Sequence, residues 1–348
     1  MAYTDTRLEP AEAVRILRAW EIEVSEASVL PGSGTANAGA VLETPGGRLF
    51  LKRRNPRYAR LDWVRFDHAL LAHLATCDLP VPQGIFSRDG NPWVVTDDAI
   101  YELFGFIEGE QHRPGNPQQL RAAGETLARI HLSAQSFEPP VAKQWERFHD
   151  PEEACAWLAQ LLEEPGETGR RGARRVLAAG HDHCVDLARR LTDDIYWRLP
   201  RTIVQGDYHP ANLKFRGDEV AGVFDWDWAG DQPRMVDLAD GLLFFCARRD
   251  TPPVAGDIWS LTEAFDLDEG RVARFGGAYT RIIEPKPEEL AALPDLMRAR
   301  WLYSRADAAM RKIDPERRAE FVTRDLDRPL TAIKRIESGI SDGSTFEA

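Results

Sequence analysis

Cysteine is scarce in this chain and gives no paired spacing. Cys77, Cys155, Cys184 and Cys246 lie far apart in 348 residues, without a Cys-x-x-Cys. Nothing here reads as a disulfide framework, and a reduced, cytoplasmic protein is expected. No apolar run approaches the roughly 20 residues of a membrane helix. The opening, MAYTDTRLEPAEAVRILRAW, carries three acids and no cleavable apolar core, so no secretory signal is expected. Positive charge is in deficit: 44 Lys and Arg face 56 Asp and Glu, for a formal net charge of −12. That balance argues against nucleic acid as a partner. Internal repeats and coiled-coil heptads are absent as well. What remains is an ordinary globular composition, 43% hydrophobic and 29% charged, in a chain long enough for two domains.

The texture changes along the chain. Residues 10–19 read as a short amphipathic helix with Pro10 at its start. Strand-like runs follow at 22–30, 38–44 and 48–53, the last two joined by the turn TPGG. A helix is expected over 60–76, where positions 63, 66, 70, 71 and 74 form one apolar stripe. Strand signals return at 93–95 and 100–107, before the polar linker EGEQHRPGNP. Beyond it helical patterns dominate 117–134, 151–163 and 171–198, and again from 233 to the end. The segments 163–172 and 338–348 read as flexible. The expected class is α+β: a small β-rich lobe over 1–110 and a larger, mainly helical one over 111–348.

One stretch interrupts the helices, 204-VQGDYHPANLKFRGDEVAGVFDWD-227. A strand at 201–205 turns out through Gly206-Asp207, extended structure resumes at 211–216, and Arg216-Gly217-Asp218 turns into a strand over 219–225. Asp207, Asn212 and Asp225 therefore gather at one end of a small hairpin arrangement. Each alone could be a turn or strand-end residue. Together they suit one divalent cation, held by a carboxylate and an amide oxygen with a second carboxylate nearby. Magnesium takes such hard oxygen ligands and completes its shell with water and phosphate oxygens. A free Asp207 could then take a proton from a substrate hydroxyl and orient it for in-line attack.

The pattern G-D-x-H-x-x-N-L, followed by a strand ending in Asp, resembles the catalytic loop of the aminoglycoside phosphotransferase superfamily. That group includes choline kinases, type II homoserine kinases and spore-coat relatives, on a protein-kinase-like bilobal fold with a small antiparallel sheet and a larger helical lobe. The resemblance implies Asp207 as catalytic base, with Asn212 and Asp225 as magnesium ligands. It extends into 233-PRMVDLADGLLFF-245, where Asp237 would brace the loop. Family members usually carry His two residues before the catalytic Asp; here it is Gln205, which can still hydrogen-bond. His209 and His131 read as packing residues.

The same resemblance directs attention to the first lobe. Lys52, a charge inside the apolar strand LFLKR, would meet the nucleotide phosphates, with Asp67 of the 60–76 helix as its partner and Asp62 as a poorer alternative. The family usually has Glu at that place. The loop 32-GSGTANAG-39, with Gly32, Gly34 and Asn37, resembles a phosphate-covering turn, and no Gly-Lys-Ser/Thr follows it. In YELFGFIEGE the resemblance makes Phe104 the gatekeeper and sets the Gly105 carbonyl and the Ile107 amide at the adenine edge. Trp226 and Trp228 flank Asp227 and are candidates for the pocket wall, Asp227 being either a further acidic contact or part of the turn. The helix over 286–313 resembles those that wall the substrate cleft. His181-Asp182-His183-Cys184 has no matching second cluster and reads as a helix start.

The expected activity is therefore transfer of the γ-phosphate of ATP, or GTP, with Mg2+, to a hydroxyl of a small molecule. Amino alcohols, aminoglycosides and sugars are all candidates, with a lean toward the homoserine-kinase branch. Neither nucleic acid nor membrane is expected as partner. A protein Ser/Thr kinase is the alternative, though no activation segment ending in Ala-Pro-Glu is evident; a catalytically silent nucleotide-binding protein is another.

Overall fold

The computed structural model describes residues 8–32, 37–164, 171–251, 254 and 257–347. Helix α1 (Pro10–Leu17) opens with Pro at N1 and buries Ala13, Ile16 and Leu17. Strands β1 (Val29–Pro31), β2 (Ala38–Thr44), β3 (Gly47–Arg53), β4 (Trp93–Val95) and β5 (Ile100–Gly105) form an antiparallel sheet in the order β1-β2-β3-β5-β4. Alternation along the strands gives this sheet two different faces. Leu51 and Leu103, cross-strand partners, pack with Leu17 and Trp20 of the α1 side. Phe50 and Phe104, paired next to them, face the other way and join helix α2 (Leu61–Thr76). The stripe of α2 read from the sequence is the buried one, with Phe66, Leu70, Leu71 and Leu74 inside.

The remaining chain is mainly helical: α3 (Pro117–Ala134), α4 (Pro151–Glu163), α5 (Arg171–Arg190), α6 (Asp193–Arg198), α7 (Met235–Phe245), α8 (Glu269–Thr280), α9 (Pro287–Lys312), α10 (Arg318–Thr323) and α11 (Asp327–Ser341). Three two-stranded ribbons lie among these helices. They pair β6 (Arg201–Val204) with β9 (Gly230–Pro233), β7 (Leu213–Arg216) with β8 (Glu219–Val223), and β10 (Ala247–Arg249) with β11 (Phe265–Leu267). The first two ribbons set the loop and strand ends that carry Asp207, Asn212 and Asp225.

Several boundaries differ from expectation. The run at 22–30 contributes only Val29–Pro31 to the sheet, because Glu26–Ser28 closes into a 3-10 turn. The expected helix over 171–198 is two helices, since Thr192 caps the second by accepting from the Ile195 amide. His181 to Cys184 sit inside α5 rather than at a helix start, with His181 Nε2 3.3 Å from Cys155 Sγ. The tail read as flexible is helical to Ser341, and Phe346 is buried against Gly276 and Gly277 of α8. Strands β9, β10 and β11 had no distinct sequence signal. All four cysteines are free. No described helix is long and apolar enough to cross a membrane.

Candidate active site

The loop after β6 is held by backbone-directed hydrogen bonds. Asp237, in the first turn of α7 and fully buried, accepts from the amides of Gln205 (2.7 Å) and Gly206 (2.8 Å) and pairs with His131 Nε2 (3.1 Å). Gln205 reaches across to the next strand. Its amide nitrogen donates to the carbonyls of Phe224 (3.0 Å) and Asp225 (2.8 Å), while its oxygen accepts from the Asp207 amide (2.8 Å). Glutamine here ties the two segments that carry Asp207 and Asp225.

Gly206 makes this turn possible. It sits at φ +86°, and a Cβ there would lie 2.6 Å from the Trp228 carbonyl oxygen and 2.8 Å from Trp228 Cβ. Gly206→Ala is expected to cost about 1–3 kcal/mol from the backbone alone, with the overlap added to it. Chemical denaturation checks this, and an unchanged midpoint would contradict it.

Asp207, Asn212 and Asp225 come together at one end of the β6–β8 region. Asn212 Nδ2 donates to the Asp207 carbonyl (2.9 Å) and to Asp207 Oδ2 (3.2 Å), which leaves the amide oxygen available. His209 Nε2 lies 3.2 Å from Asp207 Oδ2, and Arg300 Nη2 of α9 donates to Asp207 Oδ1 at 2.6 Å. Burial acts to raise the Asp207 carboxyl, but His209 and Arg300 outweigh it and hold it well below the usual carboxylate range. Asp225 stands at φ +58°, in the left-handed region that an Asp tolerates better than most. Burial and the neighbouring Asp227 and Asp207 carboxylates push it up to about 6, against the pull of Lys52. Three acids thus crowd one corner of the cleft.

Lys52 faces them from β3. Its Nζ is 2.5 Å from Asp227 Oδ1 and 3.6 Å from Asp225 Oδ1. Burial works to lower the ammonium pKa, and the two aspartates more than offset this. Asn37 adds a third link, donating to Asp227 Oδ2 at 2.8 Å.

The expected Lys52–Asp67 pair is not the one that forms. Asp67 is buried on α2, with Oδ1 2.5 Å from Lys143 Nζ and Oδ2 2.8 Å from Arg54 Nη1. Asp67 is one methylene shorter than the family's Glu, and two nearer cations occupy its oxygens. Lys143 also donates to the Asp227 carbonyl (2.8 Å) and lies over the rings of Trp63 and Trp145. Arg54, two residues beyond Lys52 and so on the same face of β3, pairs with Glu102 (2.6 Å) and approaches Asp227 (3.5 Å). Sequence reasoning missed Arg54, Glu102 and Lys143, and reached Arg300 only as one of the arginines of the 286–313 helix, whose default was a solvated face. The alternation Phe50, Lys52, Arg54 was a usable signal for the first; Lys143 had none beyond its lying in apolar surroundings.

Elsewhere, the Gly32 amide donates to the Gly39 carbonyl (2.9 Å) and closes the neck of the glycine loop, while Gly34 lies outside the described residues. At the end of β5, Gly105 pairs with Leu49 and Ile107 follows it into the linker; Phe104 is buried with His68 stacked on it at 5.5 Å. Trp226 does not line the cleft. It turns into the core and donates to the Val223 carbonyl, whereas Trp228 stacks on Trp145 at 4.9 Å. Among the described residues no group of three His, Cys, Asp or Glu is arranged to hold a metal by itself.

Comparison with known proteins bears on this geometry. Residues 29–293 match the family described as the phosphotransferase enzyme family. Over 311 residues the chain is 28% identical to a homoserine kinase of Nitrobacter winogradskyi, covering 87% of this chain and 85% of that protein. A microcompartment-associated aminopropanol kinase superposes with a TM-score of 0.68 at 17% identity, over 95% of this chain and 98% of the other. An amicoumacin kinase in complex with AMP-PNP, Ca2+ and Ami gives a TM-score of 0.63 at 16% identity, over 96% and 93%. With a match spanning most of its length and a protein-kinase-like fold around the cleft, the chain belongs to the phosphotransferase enzyme family and is a small-molecule kinase.

Proposed function

We propose that this kinase moves the γ-phosphate of ATP, with GTP as the alternative donor, to the hydroxyl of a small amino alcohol of the homoserine type. Asp207 orients that hydroxyl, Asn212 and Asp225 are the magnesium ligands, and Lys52 meets the phosphates. The observation that carries the reading is the convergence of Asp207, Asn212 and Asp225 opposite the Lys52 amine. The relatives support the donor and acceptor classes: a homoserine kinase by sequence, and by fold a kinase holding AMP-PNP and Ca2+.

The residues fit a hard divalent cation. Asn212 offers a free amide oxygen, Asp225 is partly open, and the surrounding carboxylates crowd one another in a way that a cation relieves. Two protein ligands suffice for magnesium, whose other positions go to water and phosphate. When bound, it would neutralise and align the phosphates. The rest falls to the chain. Lys52, pinned by Asp227 and Asp225, stands where it can offset phosphate charge. Asp207 stays ionised beside Arg300 and accepts the hydroxyl hydrogen bond on a remaining lone pair. A loose transition state asks little of its basicity and much of its position. The Gly105 carbonyl and Ile107 amide are proposed for the base edge, Gly32 and Gly34 for the phosphate cover, and Asp67 for support of the nucleotide side through Arg54 and Lys143.

The test is a phosphate-transfer screen over amino alcohols, aminoglycosides and sugars, run beside Asp207→Asn. Transfer should be fastest to a homoserine-type acceptor, and the variant should lose about 10²-fold or more in kcat while still gaining thermal stability from nucleotide. Preference for a sugar or an aminoglycoside would overturn the acceptor class. An Asp207→Asn enzyme of undiminished kcat would overturn the role of Asp207.

A further inference from the structure

Three carboxylates attract the Lys52 ammonium, those of Asp227, Asp225 and Glu102. Glu102, its cross-strand neighbour, is taken by Arg54 Nε (2.6 Å) and lies 2.8 Å from His68 Nε2. Asp225 stands 3.6 Å from Nζ, with its side chain 32% exposed. Asp67, the partner expected from the sequence, is held by Lys143 at 2.5 Å and Arg54 at 2.8 Å. The close contact falls to Asp227, 2.5 Å from Nζ and only 2% exposed in its side chain.

Asp227 is fixed before the lysine reaches it. It lies at the centre of the 3-10 turn Trp226–Trp228. On one side Trp226 is buried and donates to the Val223 carbonyl (2.9 Å); on the other Trp228 stacks on Trp145 at 4.9 Å. Lys143 Nζ donates to the carbonyl of Asp227 itself (2.8 Å). With the backbone pinned, the short carboxylate has little room to turn. Its Oδ1 takes Lys52, with Arg54 Nη2 3.5 Å away, and its Oδ2 accepts from Asn37 Nδ2 at 2.8 Å. Asn37 accepts in turn from the Asn55 amide, just beyond β3 (2.9 Å).

One buried carboxylate thus ties the lysine of β3 to the far end of the glycine loop. An ion pair in water orients long side chains weakly, since each must give up its rotamer freedom. A buried carboxylate bonded through both oxygens imposes geometry as well as charge. We propose that Asp227 is the positioning residue for Lys52, holding the ammonium where the phosphates arrive and the glycine loop beside it, the part expected of Asp67. Asp67 reaches the same corner at second hand, through Arg54 and Lys143. Exposure divides the labour within Asp225-Trp226-Asp227: the open acid is left for a cation and the closed one for the lysine. This rests on the phosphotransfer reading above and adds a residue that acts through Lys52 alone.

The experiment is a double-mutant cycle in the full-length enzyme: Asp227→Asn, Lys52→Met and the two combined. The readouts are kcat and KM for ATP, with magnesium in excess and homoserine, or the acceptor the screen selects, in excess. Asp227→Asn keeps the shape and removes the charge. Each single change should lower kcat/KM by about 10²-fold. In the Lys52→Met background the further loss from Asp227→Asn should shrink to less than about threefold, because the two act as one unit. A structural role is not cancelled by removing Lys52, so the same fractional loss in both backgrounds overturns the proposal. So does an Asp227→Asn enzyme of wild-type kcat/KM. A magnesium requirement raised about tenfold or more in Asp227→Asn assigns this acid to the metal and also overturns it. Thermal melts without nucleotide show which variants fold. Should Asp227→Asn fail, Asp227→Glu carries the same cycle, since it keeps the charge in the corner and displaces it by one methylene. Absence of transfer by the wild type to any acceptor overturns the phosphotransfer reading itself.

Discussion

Replacing Asp225 by alanine is expected to lower ATP-dependent phosphate transfer by about 10³-fold or more, while the protein remains folded. The expectation follows from what Asp225 does not do. The strong contacts of this corner belong to its neighbour: Lys52 sits 2.5 Å from Asp227 and only 3.6 Å from Asp225, and Asn37 is nearer to Asp227 as well. Asp225 is raised to about 6 by burial and by the carboxylates around it. An acid whose pKa is raised on folding weakens the fold above that pH and ceases to do so as pH falls from about 6 toward its ordinary value. Removing it relieves repulsion, so a thermal melt at neutral pH should show an equal or higher midpoint beside the lost activity. With Asp225 as the proposed magnesium ligand, protons and the cation would compete for this one carboxylate. The stabilisation that the wild type gains from magnesium and ATP should therefore weaken as pH drops through 6. An Asp225→Ala enzyme that transfers phosphate at near the wild-type rate would remove the metal assignment.

The second large effect concerns stability. Arg54→Met is expected to destabilise the protein by about 3–5 kcal/mol, the cost of stranding buried charge when one partner is removed. Arg54 serves three carboxylates at once, Glu102, Asp67 and Asp227, and is itself buried. Burial alone would raise the Glu102 carboxyl. Arg54, with His68 and Lys52, holds it well below the usual range instead. A depressed carboxylate pKa contributes stability that is fully present above the unfolded value, about 4.3, and is lost progressively as pH falls from there through the folded value. The wild type should thus lose stability on the acid side, and the variant should show a shallower acid dependence from an already lower plateau. Denaturant titrations at neutral pH and in steps below about pH 4 measure both. Equal midpoints for the two proteins at neutral pH would contradict the network's role.

The parts legible in the sequence were those fixed over short distances. Asp207 and Asn212 are five residues apart and braced within their own loop, and the apolar run before Asp225 sets where its strand must end. Lys52 was reached through the resemblance, because strand period says only that side chains at 50, 52 and 54 share a face and not which face meets α2 and the cleft. What could not be read was which charges would meet once several lay within reach. Asp67 could have chosen Lys52, Arg54 or Lys143, and the choice depends on side-chain length and on how closely α2 approaches Lys143, 76 residues further along. The Arg300–Asp207 contact spans 93 residues and leaves no local pattern. Strand β9, GDQP, shows why some elements escape detection. Its residues have poor strand propensity, and it is extended because β6 supplies its hydrogen bonds.

Helix α2 has one more consequence for how the enzyme works. Its apolar side lies in the same core as Leu120 and Leu127 of α3, and its Asp67 is tied through Lys143 to the Asp227 carbonyl. The outer face of the sheet packs separately with α1. Arg54, just past β3, and Glu102 of β5 are in turn paired with Asp67 and His68 of α2, so during nucleotide exchange the sheet and α2 are expected to move as one block. Apolar layers tolerate slippage and buried ion pairs do not, so the α2 side of the sheet is stiff and the apolar α1 side is the one that yields.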